Sequence, residues 1–333
     1  MGSYLNVAPL IFGCEGVRVS RQERAFFSKS QPFGFILFAR NLDNPSQIRG
    51  LCAALREAVV WKAPIMIDQE GGRVARLGAP HWFEFPAPLD QANHVNSKRL
   101  FWLRGRLIAE NLYSSGIDVN CAPLGDIARL NTHIVLRSRC YGSDKATVIS
   151  NASAMNLGLC HGGVSGVLKH IPGHGRAQLD SHMALPLVSA TKSDLSQSDF
   201  DVFRKLNHIS MGMTAHLVYQ DIDPMQPATH SKVMIDLIRN NIRFDGLLMT
   251  DDISMNALQG GMAARAQKAW NSGCDLVLHC NANFREMQLL AEISEPVMGQ
   301  TLRRVEHMIM KRPKPVPVDI QQLKAESISL MNE

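Results

Sequence analysis

Ionisable side chains stand at the ends of five short apolar segments of this sequence. In chain order they are Asp68 and Glu70, Asp126, Lys169 and His170, His216, and Asp251 and Asp252. Carboxylates that share a pocket with histidine or lysine are the groups used in general acid–base and nucleophilic catalysis. Each one alone also has a structural explanation, since a carboxylate after a strand often caps the next helix or pairs with a nearby arginine. Ionisable residues at the ends of five apolar segments therefore favour a single polar pocket that they share.

Two of these positions have a specific structural alternative. Arg73 and Arg76 follow Asp68 and Glu70 closely, so we expect at least one ion pair among these four residues. Glu70 is the better candidate for a structural role. His216 by itself is more typical of a hydrogen-bonded core histidine than of a catalyst.

The glycine-rich segment at residues 172–182 (PGHGRAQLDSH) carries a further pattern. Asp180 and His182 are two residues apart, so the carboxylate could hydrogen-bond one imidazole nitrogen. The other nitrogen could then deliver a proton near neutral pH. The alternative is a turn stabilised by Asp180, and the residues alone leave both interpretations open.

The histidines do not form a recognisable metal motif. His170 and His174 have the spacing of two ligands on one helix, but Pro172 and Gly173 lie between them and disfavour a helix. We therefore expect no catalytic metal and no other cofactor. A metallo-hydrolase that uses His170, His174 and His216 is the alternative enzyme class.

The elements that must position these groups follow from eight apolar runs, most of them continuous rather than alternating. The runs are Asn6–Cys14, Phe33–Phe38, Pro64–Asp68, Asp118–Pro123, Gly166–His170, Ile209–His216, Gly246–Asp251 and Asp275–Cys280. Continuous apolar runs are typical of strands covered on both faces. Segments with helical spacing lie between most of them, at Ser46–Val60, Lys98–Ser115, Ala146–His161, Asp199–Asn207, Lys232–Asn240 and Ala263–Ser272.

Eight strands that alternate with helices predict an α/β fold, a single (β/α)8 barrel of the TIM type. The alternative is an open doubly wound sheet, which the lack of a G-x-G-x-x-G motif after the first run disfavours. In a barrel, catalytic groups project from the C-terminal ends of the strands. The polar strand ends would therefore face one pocket.

The domain organisation is predicted to be simple. A chain of 333 residues suits one barrel, and no Gly/Ser linker interrupts it. We expect a single catalytic domain at residues 1–333 with a helical C-terminal extension from about residue 281. In that extension, Lys311–Pro317 is a proline-broken connector after two helices, and a terminal helical stretch follows it.

Composition excludes several classes of partner. The net charge of +5 is spread out, without a basic block, which argues against nucleic acid. No apolar stretch is long enough to cross a bilayer, and the N-terminus lacks the basic region of a signal peptide. Seven cysteines without a C-x-x-C pair are typical of a reducing compartment. We expect a cytoplasmic monomer with no nucleic-acid or membrane partner.

Four segments together resemble the β-N-acetylhexosaminidases of glycoside hydrolase family 3. They are Ile67–Val74 (IDQEGGRV), Lys169–Gly175 (KHIPGHG), Asp180–His182 (DSH) and Thr250–Met255 (TDDISM). The matches run from about Gly34 to Cys280, and the combination of K-H-x-P-G-H-G with D-S-H is highly specific. The resemblance is to bacterial enzymes that recycle cell-wall muropeptides in the cytoplasm.

The resemblance implies roles for individual residues. It implies that Asp251 is the nucleophile, which the spacing alone could not choose over Asp252. It also implies that His182 is the general acid/base and Asp180 its orienting partner. The implied sugar-binding residues are Asp68, Arg76, Arg139, Lys169 and His170.

The segment around Arg139 departs from the family pattern. Ser138 and Cys140 replace the glutamate and serine that usually flank this arginine, and Arg137 is the alternative to it. The segment near His133 departs from the pattern as well.

The implied activity is that of a retaining exo-β-N-acetylglucosaminidase acting on muropeptides in peptidoglycan recycling. Asp251 would form a glycosyl-enzyme, and His182 would protonate the leaving oxygen and then activate water. A neutral histidine base avoids a second anion beside the nucleophile. A non-catalytic sugar-binding protein is the other alternative, which Asp180, His182 and Asp251 together disfavour.

Overall fold

The computed structural model describes residues 6–179 and 185–333, so the predicted dyad of Asp180 and His182 lies outside the described residues. The strands of the described part are β1 (Ala8–Gly13), β2 (Pro32–Leu37), β3 (Ile65–Ile67), β4 (Val119–Asn120), β5 (Ser165–Ile171), β6 (Leu187–Val188), β7 (Met211–Thr214), β8 (Val218–Tyr219), β9 (Leu247–Asp252) and β10 (Leu276–His279). The α-helices are α1 (Arg21–Ser30), α2 (Pro45–Glu57), α3 (Pro88–Ala92), α4 (Ser97–Ser114), α5 (Ile134–Arg137), α6 (Lys145–His161), α7 (Lys192–Gln197), α8 (Asp199–Lys205), α9 (Lys232–Asn240), α10 (Met262–Ser272), α11 (Phe284–Ile293), α12 (Gly299–Met310) and α13 (Ile320–Met331).

Eight of the strands form a closed parallel barrel, in the order β1, β2, β3, β4, β5, β7, β9 and β10. Each predicted apolar run contains or overlaps one of these strands, so the prediction of a (β/α)8 barrel is confirmed. A two-stranded parallel sheet of β6 and β8 lies outside the barrel and was not predicted. Its strands are only two residues long, too short for a periodic pattern.

Most of the predicted helices are present with small shifts of their ends. The prediction for α9 matches its observed bounds, and α6 ends before Gly162 as expected. Helices α1, α3, α5 and α7 were not predicted. A signal for α1 was present, since the side chain of Ser20 accepts the Glu23 N–H and the Glu23 carboxylate accepts the Ser20 N–H. This is the capping-box pattern that marks a helix start.

The barrel interior is a separate apolar core. Alternate strand residues such as Ile36, Met213 and Leu278 point inwards and are almost completely buried. Val305 and Met308 of α12 belong to the same cluster. The extension after β10 therefore closes the barrel at the N-terminal ends of its strands, opposite the polar strand ends. No helix in the described residues is long and apolar enough to cross a membrane.

Helices α4 and α6 pack closely along one side of the barrel. A Cβ atom added to Gly105 would overlap the backbone carbonyl of Met155 in α6, and one added to Gly158 would overlap that of Trp102 in α4. Glycine is required at both crossings because any side chain would separate the helices. The contact fixes α4, whose buried Arg104 supports the loop after β3.

Candidate active site

One cavity at the C-terminal end of the barrel contains most of the predicted site residues. It has a volume of about 170 Å³. It is lined by Ile36, Phe38, Asp68, Val74, Arg76, His133, Val135, Leu136, Arg139, Lys169, His170, His174, Leu179, Met213, Asp251, Asp252, Leu278 and Cys280. Strands β3, β5 and β9 thus bring all the predicted residues of the described part to one place, and Arg139 reaches it from beyond α5.

Lys169 connects two carboxylates at the wall of this cavity. Its Nζ lies 2.9 Å from Asp68 Oδ1 and 2.7 Å from Glu70 Oε1. Burial alone would lower the pKa of Lys169, but Asp68 and Glu70 raise it above its ordinary value. Lys169 is therefore a fixed positive charge. Arg76 Nη2 lies 3.5 Å from Asp68 Oδ2, the oxygen that does not face Lys169. This contact confirms the expected ion pair among the residues after β3.

Glu70 has a structural role, as expected, but not with the arginines that follow it in sequence. Its fully buried carboxylate accepts hydrogen bonds from Arg139 Nε at 2.9 Å and Nη2 at 2.8 Å. Burial alone would raise the pKa of Glu70, but Arg139 and Lys169 hold it well below its ordinary value. Arg139 is thus oriented by a bidentate ion pair at the edge of the cavity.

The loop after β3 is held from behind by a buried arginine. Arg104 of α4 donates hydrogen bonds to the backbone carbonyl of Glu70 at 2.8 Å and to that of Pro86 at 2.9 Å. A Cβ atom on Gly71, whose φ is +95°, would overlap this guanidinium. The position of Glu70 is therefore set by a helix outside the barrel.

Asp126 is a buried carboxylate behind the cavity whose partners the sequence did not indicate. Its buried Oδ2 lies 2.7 Å from His170 Nδ1, and its Oδ1 accepts the His174 N–H at 2.6 Å. Burial would raise the pKa of Asp126, but His170 keeps it below its ordinary value. Because Nδ1 of His170 donates to this carboxylate, its Nε2 is the nitrogen left for a ligand.

The two adjacent aspartates at the end of β9 differ in their surroundings. Asp252 accepts hydrogen bonds from Ser254 Oγ at 2.7 Å and from the Cys280 N–H at 3.2 Å, so its carboxylate holds the following loop. Asp251 accepts the Asp252 N–H at 2.8 Å. Burial would raise the pKa of Asp251, but His170 and His216 lower it to about 2. At neutral pH, Asp251 is an ionised carboxylate available to the cavity.

His216 is hydrogen-bonded through both ring nitrogens, as its structural interpretation predicts. Nδ1 lies 2.7 Å from Thr229 Oγ1, and Nε2 lies 3.1 Å from the Asp252 carbonyl. The carbonyl can only accept, so Nε2 donates and Nδ1 accepts from the threonine. His216 therefore supports the end of β9 and is not a free ligand.

The histidines of the alternative metal site differ in their ring contacts. Both ring nitrogens of His216 are hydrogen-bonded, whereas His170 binds Asp126 through Nδ1 and keeps Nε2 available. No group of three or more histidine, cysteine or acidic residues in the described ranges could hold a metal ion.

The chain is similar to known proteins over most of its length. The model of the glycosyl hydrolase family 3 N terminal domain matches residues 7–308. The beta-hexosaminidase of Alkalilimnicola ehrlichii is 34% identical over 309 residues, which are 90% of this chain and 88% of that protein. The beta-hexosaminidase of Pseudomonas aeruginosa is 33% identical over 276 residues, 82% of each chain.

Two solved structures are similar over nearly all of this chain. NagZ from Neisseria gonorrhoeae, in complex with N-trifluoroacetyl-D-glucosamine, has a TM-score of 0.88 and 26% identity, covering 98% of both chains. A family 3 beta-N-acetylglucosaminidase from Paenibacillus has a TM-score of 0.85 and 26% identity, covering 97% of this chain and 67% of the other.

Proposed function

Because the chain belongs to glycosyl hydrolase family 3 and is a glycoside hydrolase, we propose that it is a retaining exo-β-N-acetylglucosaminidase. One observation carries this proposal. Three carboxylates among the described residues line the cavity, and of these Asp68 is paired with Lys169 and Asp252 holds the following loop, which leaves Asp251 for the reaction. Such a site needs a different acid/base group, and the predicted one is His182.

The sugar specificity is supported by the relatives and by the pocket wall. The relatives are named beta-hexosaminidases, and one similar structure holds an N-acylated glucosamine analogue. Asp68 and Lys169 present charged hydrogen-bonding groups to the cavity, and Nε2 of His170 is available beside them. Sugar hydroxyls are recognised by such groups, so we assign Asp68, Arg76, Arg139, Lys169 and His170 to binding the terminal sugar.

The proposed reaction has two steps. Asp251 attacks the anomeric carbon as the bond to the leaving oxygen breaks, and His182, oriented by Asp180, gives that oxygen its proton. In the second step, His182 takes a proton from water, which attacks the same carbon and releases Asp251. Two inversions give a product of retained configuration.

We propose that the substrates are GlcNAc-anhydro-MurNAc-peptides of peptidoglycan recycling. The free state of all seven cysteines supports a reducing compartment, hence the cytoplasm. The monomeric state and the single catalytic domain with its extension from about residue 281 stay predictions.

The test is turnover of an aryl N-acetyl-β-glucosaminide and of the matching glucoside, with NMR detection of the first anomer released. We expect hydrolysis of the former with the β-anomer as first product. Replacement of Asp251 with alanine should reduce turnover by at least a thousandfold. Added azide should then yield the α-glycosyl azide, because a small anion can occupy the space of the missing carboxylate.

The control is Asp245→Ala, which removes an exposed aspartate at the other end of the barrel. It should leave turnover unchanged. An α-anomer as first product would overturn the retaining mechanism, and no turnover of either substrate would overturn the proposed activity.

A further inference from the structure

A cavity unrelated to the sugar site lies at the opposite, N-terminal end of the barrel. It has a volume of about 390 Å³, and its walls come from the segment before β7, the segment before β9 and helix α12. This volume falls in the range of small-molecule sites, about 300–1,000 Å³. None of the residues assigned to the sugar or to the reaction lines it, so a ligand here would occupy a separate site.

The charges around this cavity are mostly positive. Arg243, Arg303 and Arg304 line it, and among the described residues Asp245 is the one carboxylate that does so. The surplus of two positive charges is a large part of the net charge of +5 of the whole chain. A cavity with walls of predominantly one sign concentrates ligands of the opposite sign. The cavity is therefore suited to an anion.

Arg304 belongs to a balanced group of ion pairs behind the cavity. Its Nη2 lies 3.0 Å from Asp245 Oδ1, and its Nη1 lies 3.0 Å from Oδ1 of the buried Asp275. Arg239 binds the other oxygen of Asp275 at 2.6 Å. Two arginines and two aspartates thus neutralise each other. This group holds α12 against the starts of β9 and β10 and leaves no charge for a ligand.

Arg243 and Arg303 are the two cations without a compensating partner. Both side chains are exposed, and neither guanidinium forms a hydrogen bond or an ion pair with any described residue. One solvated arginine on a surface is ordinary. Two of them at one cavity present two planar groups of donors, which match the geometry of phosphate oxygens.

The backbone at Arg243 supports a role for its side chain. The φ of Arg243 is +61°, in the left-handed region. Glycine adopts this conformation without strain, whereas a residue with a Cβ atom does not. The turn from α9 to β9 would therefore favour glycine at this position. The arginine is not explained by the turn, but contact of its side chain with a ligand would explain it.

We propose that this cavity binds a diphosphate group, either free or carried by a small organic molecule. Arg243 lies before β9 and Arg303 lies on α12, so each can bind one of the two phosphates. Ser210 and Gln300 add neutral hydrogen-bond donors to the wall. The site is separate from the sugar cavity, and the proposal does not depend on the glycosidase activity.

The experiment is isothermal titration calorimetry of the full chain with pyrophosphate, inorganic phosphate and ADP. The ionic strength is held constant, because salt screens exposed charges. We expect pyrophosphate to bind more tightly than phosphate. The double variant Arg243→Gln/Arg303→Gln should raise the Kd for pyrophosphate at least about tenfold, since two charged donor groups are lost. Both side chains are exposed, so this variant should fold normally.

ADP distinguishes the two sources of the diphosphate group. Binding of ADP at least as tight as that of pyrophosphate would indicate a diphosphate carried by an organic molecule. Weaker binding of ADP would indicate the free anion.

The matched control is Arg49→Gln/Arg285→Gln, which removes the same two charges from exposed positions on α2 and α11. Neither residue lines the cavity, so the Kd should stay unchanged. An equal rise in Kd in the two double variants would indicate an adventitious ion only and overturn the proposal. The absence of pyrophosphate binding to the unmodified protein, or an unchanged Kd in Arg243→Gln/Arg303→Gln, would overturn it as well.

Discussion

Arg139 and Glu70 are joined by two hydrogen bonds of 2.9 and 2.8 Å, although they are 69 residues apart in sequence. The glutamate has no exposed surface, and Lys169 approaches it from the other side. Two cations that line the cavity, Arg139 and Lys169, are therefore bound to the same buried carboxylate. Glu70 orients Arg139 and, together with Asp68, holds Lys169.

Replacement of Glu70 with glutamine tests this dependence. Loss of its charge leaves Arg139 without its ionic partner in a buried place, so we expect the free energy of unfolding to fall by about 3 kcal/mol. The KM for an aryl N-acetylglucosaminide should rise about tenfold as Arg139 and Lys169 shift. Urea denaturation and steady-state kinetics measure the two effects.

The matched control is Glu326→Gln, which breaks another bidentate pair with an arginine. There the side chains of Arg99 and Glu326 are 44% and 33% exposed, so the loss should stay below about 1 kcal/mol. Equal losses in the two variants would contradict a special role for burial at Glu70.

Asp126 is predicted to fix the tautomer of His170. In Asp126→Asn, the amide oxygen is needed by the His174 N–H, so the amide NH2 group faces His170 Nδ1. That nitrogen must then accept, and the proton moves to Nε2. We expect the tautomer change in ¹⁵N NMR and about tenfold weaker binding of N-acetylglucosamine, the cost of one neutral hydrogen bond. An unchanged tautomer would exclude this mechanism.

The helix crossing of α4 and α6 predicts opposite effects for two glycine-to-alanine changes. Gly158→Ala places a methyl group against the carbonyl of Trp102 and should destabilise the protein by about 2 kcal/mol or more. Gly50 lies on the exposed face of helix α2, where the Cβ atom of an alanine meets nothing within 4 Å. Gly50→Ala should stabilise by about 0.5–1 kcal/mol, because alanine favours the helix. Thermal or urea unfolding of the two variants measures these changes in stability. Changes of the same sign in both variants would contradict the close packing of α4 against α6.

Stability is predicted to fall as the pH decreases from 7 to 4. Burial lowers the pKa of His174 and of His230 to about 4, and in His230 the neighbouring His216 adds to the effect. The unfolded chain binds these protons near pH 6.5 and the folded chain does not, so unfolding takes up protons in this range. Each such proton changes the free energy of unfolding by about 1.4 kcal/mol per pH unit.

The measurement is urea denaturation at pH 7.5, 6 and 5. His230→Gln should reduce the slope of the unfolding free energy with pH, because one of these groups is then missing. A stability that does not vary between pH 7 and 5 would mean that these histidines are not held neutral by the fold.

The sequence predicted the barrel well because the evidence for it is local. Buried parallel strands are continuous apolar runs, and each helix shows its own periodicity and end signals. The convergence of Asp68, Lys169, His170 and Asp251 then followed from the topology, since all lie at or just beyond the C-terminal ends of parallel strands.

The partners of these groups could not be predicted in the same way. An ion pair was expected within residues 68–76, yet Glu70 pairs with Arg139, which is 69 residues further along the chain. The choice between Asp251 and Asp252 depends on which carboxylate accepts the Ser254 hydroxyl. Such pairings depend on side-chain directions in the folded chain, which residue spacing does not determine.

The closed floor of the barrel also has a kinetic consequence. Ile36, Met213 and Leu278 close the cavity from below and α12 packs beneath them, so in the described part of the chain Asp251 is reached from the C-terminal end of the barrel. After the proposed reaction, the released alcohol lies between the sugar and the cavity opening, so the alcohol must leave first. The released sugar, as the last to leave, should inhibit competitively against substrate, whereas the released alcohol should inhibit noncompetitively.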